Sequence, residues 1–250
     1  MRKTRVYIES SLQIGEIVNL NDDSAHHLGR VLKVRTGDFV QVFNGHGGCY
    51  DAEIISIDKK SVSIKPVRFL AESNQSPLTL TLAQGISRGQ HMDYTVQKAV
   101  ELGVSKIVPL FTEFGNVRLE GDRTGKRLEH WQKIITSACE QSGRNILPKL
   151  DEPALLQDWV NKDMSSLKLL MHPDAEQGLT SLTTGINSIT LLCGPEGGLS
   201  QKEIEFALAC GYQKVSLGPR ILRTETAAIA AIAVCQALQG DMMYNREPLI

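Results

Sequence analysis

Three short segments hold side chains and glycines whose spacing could do chemistry: His172-Pro173, Gly194-Pro195-Glu196-Gly197-Gly198, and the run GPRILRTET from Gly218 to Thr226. Glycines at 194, 197 and 198 let the backbone approach a ligand closely and offer N–H and C=O groups to a flat heterocycle. A tight strand-to-helix turn is the ordinary alternative, because glycine-rich connections of this length are common. The third segment sets a cation, a carboxylate and two hydroxyls at the start of an apolar helix. Helix capping by Thr224, with Glu225 at the positive end of the dipole, accounts for part of that pattern. Arg223 is the residue that capping does not explain. Neither GxxxxGK[ST] nor GxGxxG occurs in the chain, which excludes the phosphate-loop and dinucleotide fingerprints.

These segments need strands to position them. Residues 167–172 and 188–193 have the near-continuous apolar character of a buried parallel sheet, and 214–217 reads as a further strand. Each of the three segments follows one of these strands, and in an open parallel sheet ligands bind beyond the carboxyl ends. Ser200 and Glu203 form a capping box that opens a helix through Cys210, and Gly211 closes it. The last helix, 224–238, is apolar on nearly every face, so it must bury itself against the sheet, a partner subunit or both.

Upstream, a strand at 78–84, a helix at 94–102 stopped by Gly103 and a strand at 106–111 make a βαβ unit. Leu128, Trp131, Ile135, Ala138 and Ser142 then share a helical face that ends at Gly143. The first 70 residues read differently, with short β-like runs at 5–8, 16–20, 38–43, 50–57 and 61–69 and a glycine-rich hairpin loop at 44–48. A helix is expected at 26–34, with Asp22, Asp23 or Ser24 as its cap. The organisation expected is a small β domain at 1–70, a polar linker AESNQSP at 71–77 and an α/β domain at 78–245.

Composition bounds the class. With 250 residues and 42% hydrophobic content, the chain can bury an ordinary core. No apolar run reaches the roughly 18 residues of a membrane span, and the N-terminal segment lacks the apolar core of a secretory signal. Cys49, Cys139, Cys193, Cys210 and Cys235 are scattered without CxxC pairs, which fits small apolar sites in a reducing cytoplasm and supports no metal site. The net charge is −1, but basic residues outnumber acidic ones in 1–68 and 85–149, and the reverse holds in 150–215. That asymmetry permits a phosphate-binding face in the first half, although a solvated surface has the same look.

The combination of LLCGPEGGLSQKEIE with SLGPRILRTETAAIAAI resembles the ribosomal RNA small subunit methyltransferase E family, whose members methylate N3 of a uridine in small-subunit ribosomal RNA. HHLGRVLKVRTGD, QGISRGQHMDYTVQKAVELGV and WQKIITSACEQSGRN extend the likeness in order along the chain. The resemblance implies a PUA-like RNA-binding β-barrel, then an α/β SPOUT-type parallel sheet whose C-terminal part is threaded as a trefoil knot. Knots are rare, and no residue pattern here points to one by itself. The resemblance further implies a homodimer, S-adenosylmethionine as cofactor, and small-subunit (16S) ribosomal RNA within the assembled subunit as partner.

Carried over onto these residues, the cofactor would be held by Leu170 and His172, by Gly194, Glu196 and Gly197, and by Leu217, Gly218, Leu222, Arg223 and Thr224. Methylating N3 requires loss of its proton, so Glu225 is expected as base or orienter and Arg223 as the cation that steadies charge on the uracil oxygens. RNA contact is expected from Arg2, Arg5, His26, Arg30 and Lys33 in the β domain, and from Arg88, Lys98, Arg118 and Arg144 beyond it. Lys98 also stands three residues from Glu101, within pairing distance on one helix. Two other readings remain: a SPOUT methyltransferase acting on a ribose 2'-oxygen or on transfer RNA, and an RNA-binding assembly factor without catalysis. Their discriminators are the nucleoside modified and affinity for the cofactor.

Overall fold

The computed structural model describes residues 4–20, 28, 34–58, 61–115, 122–179 and 185–242. The expected helix at 26–34 and the RNA-contact candidates Arg2, His26, Arg30, Lys33 and Arg118 lie outside the described residues, Leu28 and Val34 excepted. The chain divides into two compact units, Met1–Gln75 with Cys139–Leu147, and Ser76–Ala138 with Pro148–Ile250.

The first unit holds strands β1 (Arg5–Tyr7), β2 (Val18–Asn19), β3 (Phe39–Phe43), β4 (Cys49–Ile57) and β5 (Val62–Leu70), hydrogen-bonded in the order β1-β3-β4-β5-β2. All pairs are antiparallel except β1 with β3. Val6, Val40, Val42, Ile54, Val62 and Ile64 form its core, the inward members of alternating strands. The hairpin between β3 and β4 depends on Gly48, whose φ is 65° and whose added Cβ would meet the Phe69 ring at 2.5 Å. Residues 72–75, within the expected linker 71–77, hydrogen-bond to the 139–147 segment. Asn145 donates to the Glu72 carbonyl at 2.8 Å, and Asn74 donates to the Gly143 carbonyl at 2.6 Å.

The second unit is built on a parallel sheet of β6 (Thr79–Gly85), β7 (Lys106–Phe111), β8 (Lys149–Leu150), β9 (Ala154–Leu155), β10 (Leu167–Met171), β11 (Ser188–Cys193) and β12 (Gln213–Val215). Its order is β12-β10-β11-β6-β7-β8, with β9 also on β7. Leu80, Leu82, Leu191 and Leu192 are wholly buried, as the apolar runs require of a parallel sheet covered on both faces. Helices α1 (Gln90–Glu101), α2 (Asp122–Ser142), α3 (Leu156–Val160) and α4 (Gln201–Ala209) lie between strands, and α5 (Thr224–Gln239) follows β12. α5 packs on α1, β11 and β6 through Ala228, Ala231, Ile232 and Cys235.

α1 begins four residues before the expected Tyr94. Gly89 is its N-cap, with φ 47° and no side-chain hydrogen bond, so the helix start carries none of the residues that usually announce one. The extra turn is fixed from outside. Asp93 accepts from His130 Nε2 at 2.8 Å and from Trp131 Nε1 at 3.2 Å, both on α2.

Candidate functional site

A cavity of about 580 Å³ opens beyond the carboxyl ends of β10, β11 and β12, where the three segments converge. His172 and Pro173 continue β10, Gly194 to Leu199 continue β11, and Ser216 to Thr224 lead from β12 into α5. The volume suits a small-molecule site, and Gly194, Gly198 and Gly218 are among the residues of its wall.

A hydrogen-bond network joins the segments. Thr224 Oγ1 donates to the Gly194 carbonyl at 2.6 Å and accepts from Gln84 Nε2 at 3.0 Å. Gln84 also donates to the Gly85 and Gly194 carbonyls, and its side chain is wholly buried. Thr224 therefore does not cap the helix; Arg223 occupies the cap position, and the hydroxyl closes the glycine loop onto β6. The Gly194 loop is tight in itself. A Cβ on Gly194 would meet the Gly198 backbone at 3.0 Å, and one on Gly85 would meet Pro195 at 2.5 Å. Glu196 accepts the Arg88 backbone N–H at 2.9 Å, which ties the loop to the segment before α1.

Of the residues expected to hold a cofactor, the cavity wall brings together His172, Gly194, Glu196, Leu217, Gly218, Leu222, Arg223 and Thr224, with Glu225 beside them. Leu170 lies within β10, wholly buried, and is not on that wall. Gly197 is not on it either, and an added Cβ there would meet the Phe114 carbonyl at 2.9 Å. Among the expected RNA contacts, Arg88 is exposed. Lys98 pairs with Glu101 at 2.7 Å and lies over the Tyr94 ring. Arg5 donates to Asn145 at 2.6 Å and to Gln41, and stacks on Phe43. Arg144 is 4% exposed and donates to Gln75. These last two guanidiniums bind the protein's own atoms within the first unit.

The wall also holds groups that sequence reading passed over. Cys193 lies there, its thiol pushed up to about 12 by burial, with Cys235 beside it adding to the effect. It is protonated at neutral pH and a poor nucleophile. His91, on the first turn of α1, places Nδ1 3.1 Å from Glu225 Oε1. A carboxylate only accepts, so Nδ1 is the protonated nitrogen. The sole sequence signal for His91 was its place in the block QGISRGQHMDY, because the expected helix began after it. No group of three or more His, Cys, Asp or Glu among the described residues is arranged to hold a metal ion.

Comparison with known proteins places this geometry. Residues 74–236 match a family described as an RNA methyltransferase domain, and residues 20–67 match an RNA methyltransferase PUA domain. The chain is 36% identical over 242 residues to the ribosomal RNA small subunit methyltransferase E of Buchnera aphidicola subsp. Schizaphis graminum, covering 96% of this chain and 98% of that one. A Legionella pneumophila structure with the bound cofactor SAM superposes with a TM-score of 0.94 at 38% identity, over 97% of this chain and 100% of the other. The small subunit methyltransferase E of Neisseria gonorrhoeae, bound to S-adenosylmethionine, gives 0.90 at 39% identity over 96% and 100%. The parallel sheet and the PUA-like β domain before it, both expected from sequence, are present.

Proposed function

Because the chain belongs to the ribosomal RNA small subunit methyltransferase E family, we propose that it transfers the methyl group of S-adenosylmethionine to N3 of a uridine in 16S ribosomal RNA. The observation that carries this reading is the cavity at the carboxyl ends of β10, β11 and β12, whose glycine loop is tied down by the Thr224–Gly194–Gln84 network. Bound there, S-adenosylmethionine supplies an electrophilic methyl group. The residues of the wall that would hold the cofactor are Gly194 and Gly218 with their loops, Leu217 and Leu222, and His172, Glu196, Arg223 and Thr224. Most of the rate then comes from alignment of the reacting atoms.

Arg223, exposed at the start of α5, steadies negative charge on the uracil oxygens, and Glu225 serves the N3 proton as base or orienter. Arg88, which is exposed, contacts RNA phosphates. The half-buried apolar residues Ile229, Ala233 and Val234 of α5 meet a second copy in a homodimer. The same reading carries a trefoil-knotted C-terminal part, a cytoplasmic location and the assembled small subunit as substrate. No helix among the described residues is long and apolar enough to cross a membrane.

Calorimetric titration with S-adenosylmethionine tests this first, followed by mass-spectrometric mapping of the nucleoside methylated in small subunits. Binding to the native protein is expected. Gly194→Val, whose side chain would press on Gly198, should lose it. A methyl group found on a ribose oxygen, or on transfer RNA, would reassign the substrate. Absence of both binding and transfer would leave an RNA-binding factor.

A further inference from the structure

We infer that His91, oriented by Glu225, is the base that accepts the uracil N3 proton; this rests on the methyltransferase reading above and names the group that reading leaves open. Both side chains line the cavity, with Nδ1 of His91 3.1 Å from Glu225 Oε1. Their burial differs in the useful direction. The Glu225 side chain is 13% exposed, and that of His91 is 43% exposed. The carboxylate sits inside as the fixed partner, and the imidazole sits outside it towards the open side. With Nδ1–H donated to Glu225, the lone pair is on Nε2, and no described residue hydrogen-bonds to Nε2.

The other ionisable groups on the wall are ill placed for the task. His172 Nδ1 accepts the Asp174 backbone N–H at 3.2 Å, so its proton is on Nε2 and it offers no free lone pair in the ring plane. Glu196 holds the Arg88 N–H through one oxygen, Cys193 is held protonated by burial, and Arg220 and Arg223 are cations with no lone pair to give. Protonating Glu225 would remove the charge that receives the Nδ1–H bond, whereas protonating His91 creates an imidazolium already paired with a carboxylate.

The backbone holds His91 in place as well. Its carbonyl accepts from Thr95 Oγ1 at 2.9 Å, and Asp93, two residues on, is anchored to α2. In the step itself the N3–H bond breaks and its proton goes to His91 Nε2. The N3 electron pair bonds the methyl carbon, and the C–S pair returns to sulfur, leaving S-adenosylhomocysteine, methylated uridine and an imidazolium. The exposed edge of His91 then releases the proton to water.

The test uses the full-length protein, S-adenosylmethionine and small ribosomal subunits from cells in which this gene is deleted. His91→Ala is expected to keep cofactor affinity by calorimetry, while single-turnover methyl transfer falls about 10²- to 10⁴-fold. Added imidazole should restore part of that rate, a response that a packing role would not give. In the unliganded native protein, nitrogen NMR should find Nδ1 protonated and Nε2 bare, a preference weakened by Glu225→Gln. Transfer by His91→Ala within roughly threefold of the native rate overturns the assignment, as does a loss that imidazole leaves unchanged. If His91→Ala does not fold, His91→Gln is held to the same thresholds and the tautomer result stands on its own. Failure of the native protein to bind the cofactor or to methylate would instead sink the underlying reading, whatever the variants do.

Discussion

At the scale of single residues, Thr224 shows how one hydroxyl joins three elements. It donates to the Gly194 carbonyl after β11 and accepts from Gln84 at the end of β6, while its own backbone begins α5. Thr224→Val keeps the shape and removes both bonds, so that Gln84 Nε2 retains only the Gly85 and Gly194 carbonyls and the Gly194 carbonyl retains only Gln84. A loss of about 1–3 kcal/mol in unfolding free energy is expected, measurable by urea denaturation. Because the same bonds hold the cavity wall, cofactor affinity should fall in the same variant. Unchanged affinity with lowered stability would mean that the loop keeps its shape without the hydroxyl.

At the scale of elements, α4 is a helix whose start was legible as a capping box and whose box does more than cap. Ser200 Oγ accepts the Glu203 N–H, and Glu203 returns a carboxylate oxygen to the Ser200 N–H at 2.8 Å. The other Glu203 oxygen accepts the Glu113 N–H at 2.8 Å, fixing the loop after β7 that carries Phe114 to Gly197. Ser200→Ala is therefore expected to cost about 1 kcal/mol in thermal or chemical unfolding. Glu203→Ala should cost clearly more, since it frees two backbone donors from one buried carboxylate. Equal losses would mean that the Glu113 contact contributes little.

At the scale of the whole molecule, the first unit is discontinuous in sequence. Tyr7 donates its N–H to Glu140 at 3.0 Å, and Arg5 reaches Asn145 at 2.6 Å, so residues 139–147 complete the β domain. A domain this small has little core to spare. A fragment of residues 1–75 is accordingly expected to unfold at lower temperature than the same unit in the full chain, or not to fold cooperatively, as followed by circular dichroism. A fragment with an unchanged, cooperative transition would show that the 139–147 segment is dispensable.

What the sequence determined alone was what depends on local pattern. The buried strands 167–172 and 188–193 were legible from continuous apolar runs, 106–111 from its βαβ pattern, α4 from its capping box, and the three ligand-side segments from glycines and charges that follow strands. Tertiary structure decided what depends on partners distant in the chain. α1 began four residues early because α2 supplies the bonds to Asp93, which a glycine cap does not announce. Arg5 and Arg144 were expected as RNA contacts, and that their guanidiniums bind Asn145 and Gln75 is set by packing, because those acceptors stand far from them in sequence. The same holds for the pair of His91 with Glu225, 134 residues apart: hydrophobic periodicity places a helix face, but only the packing of α1 against α5 brings those two side chains to one hydrogen bond.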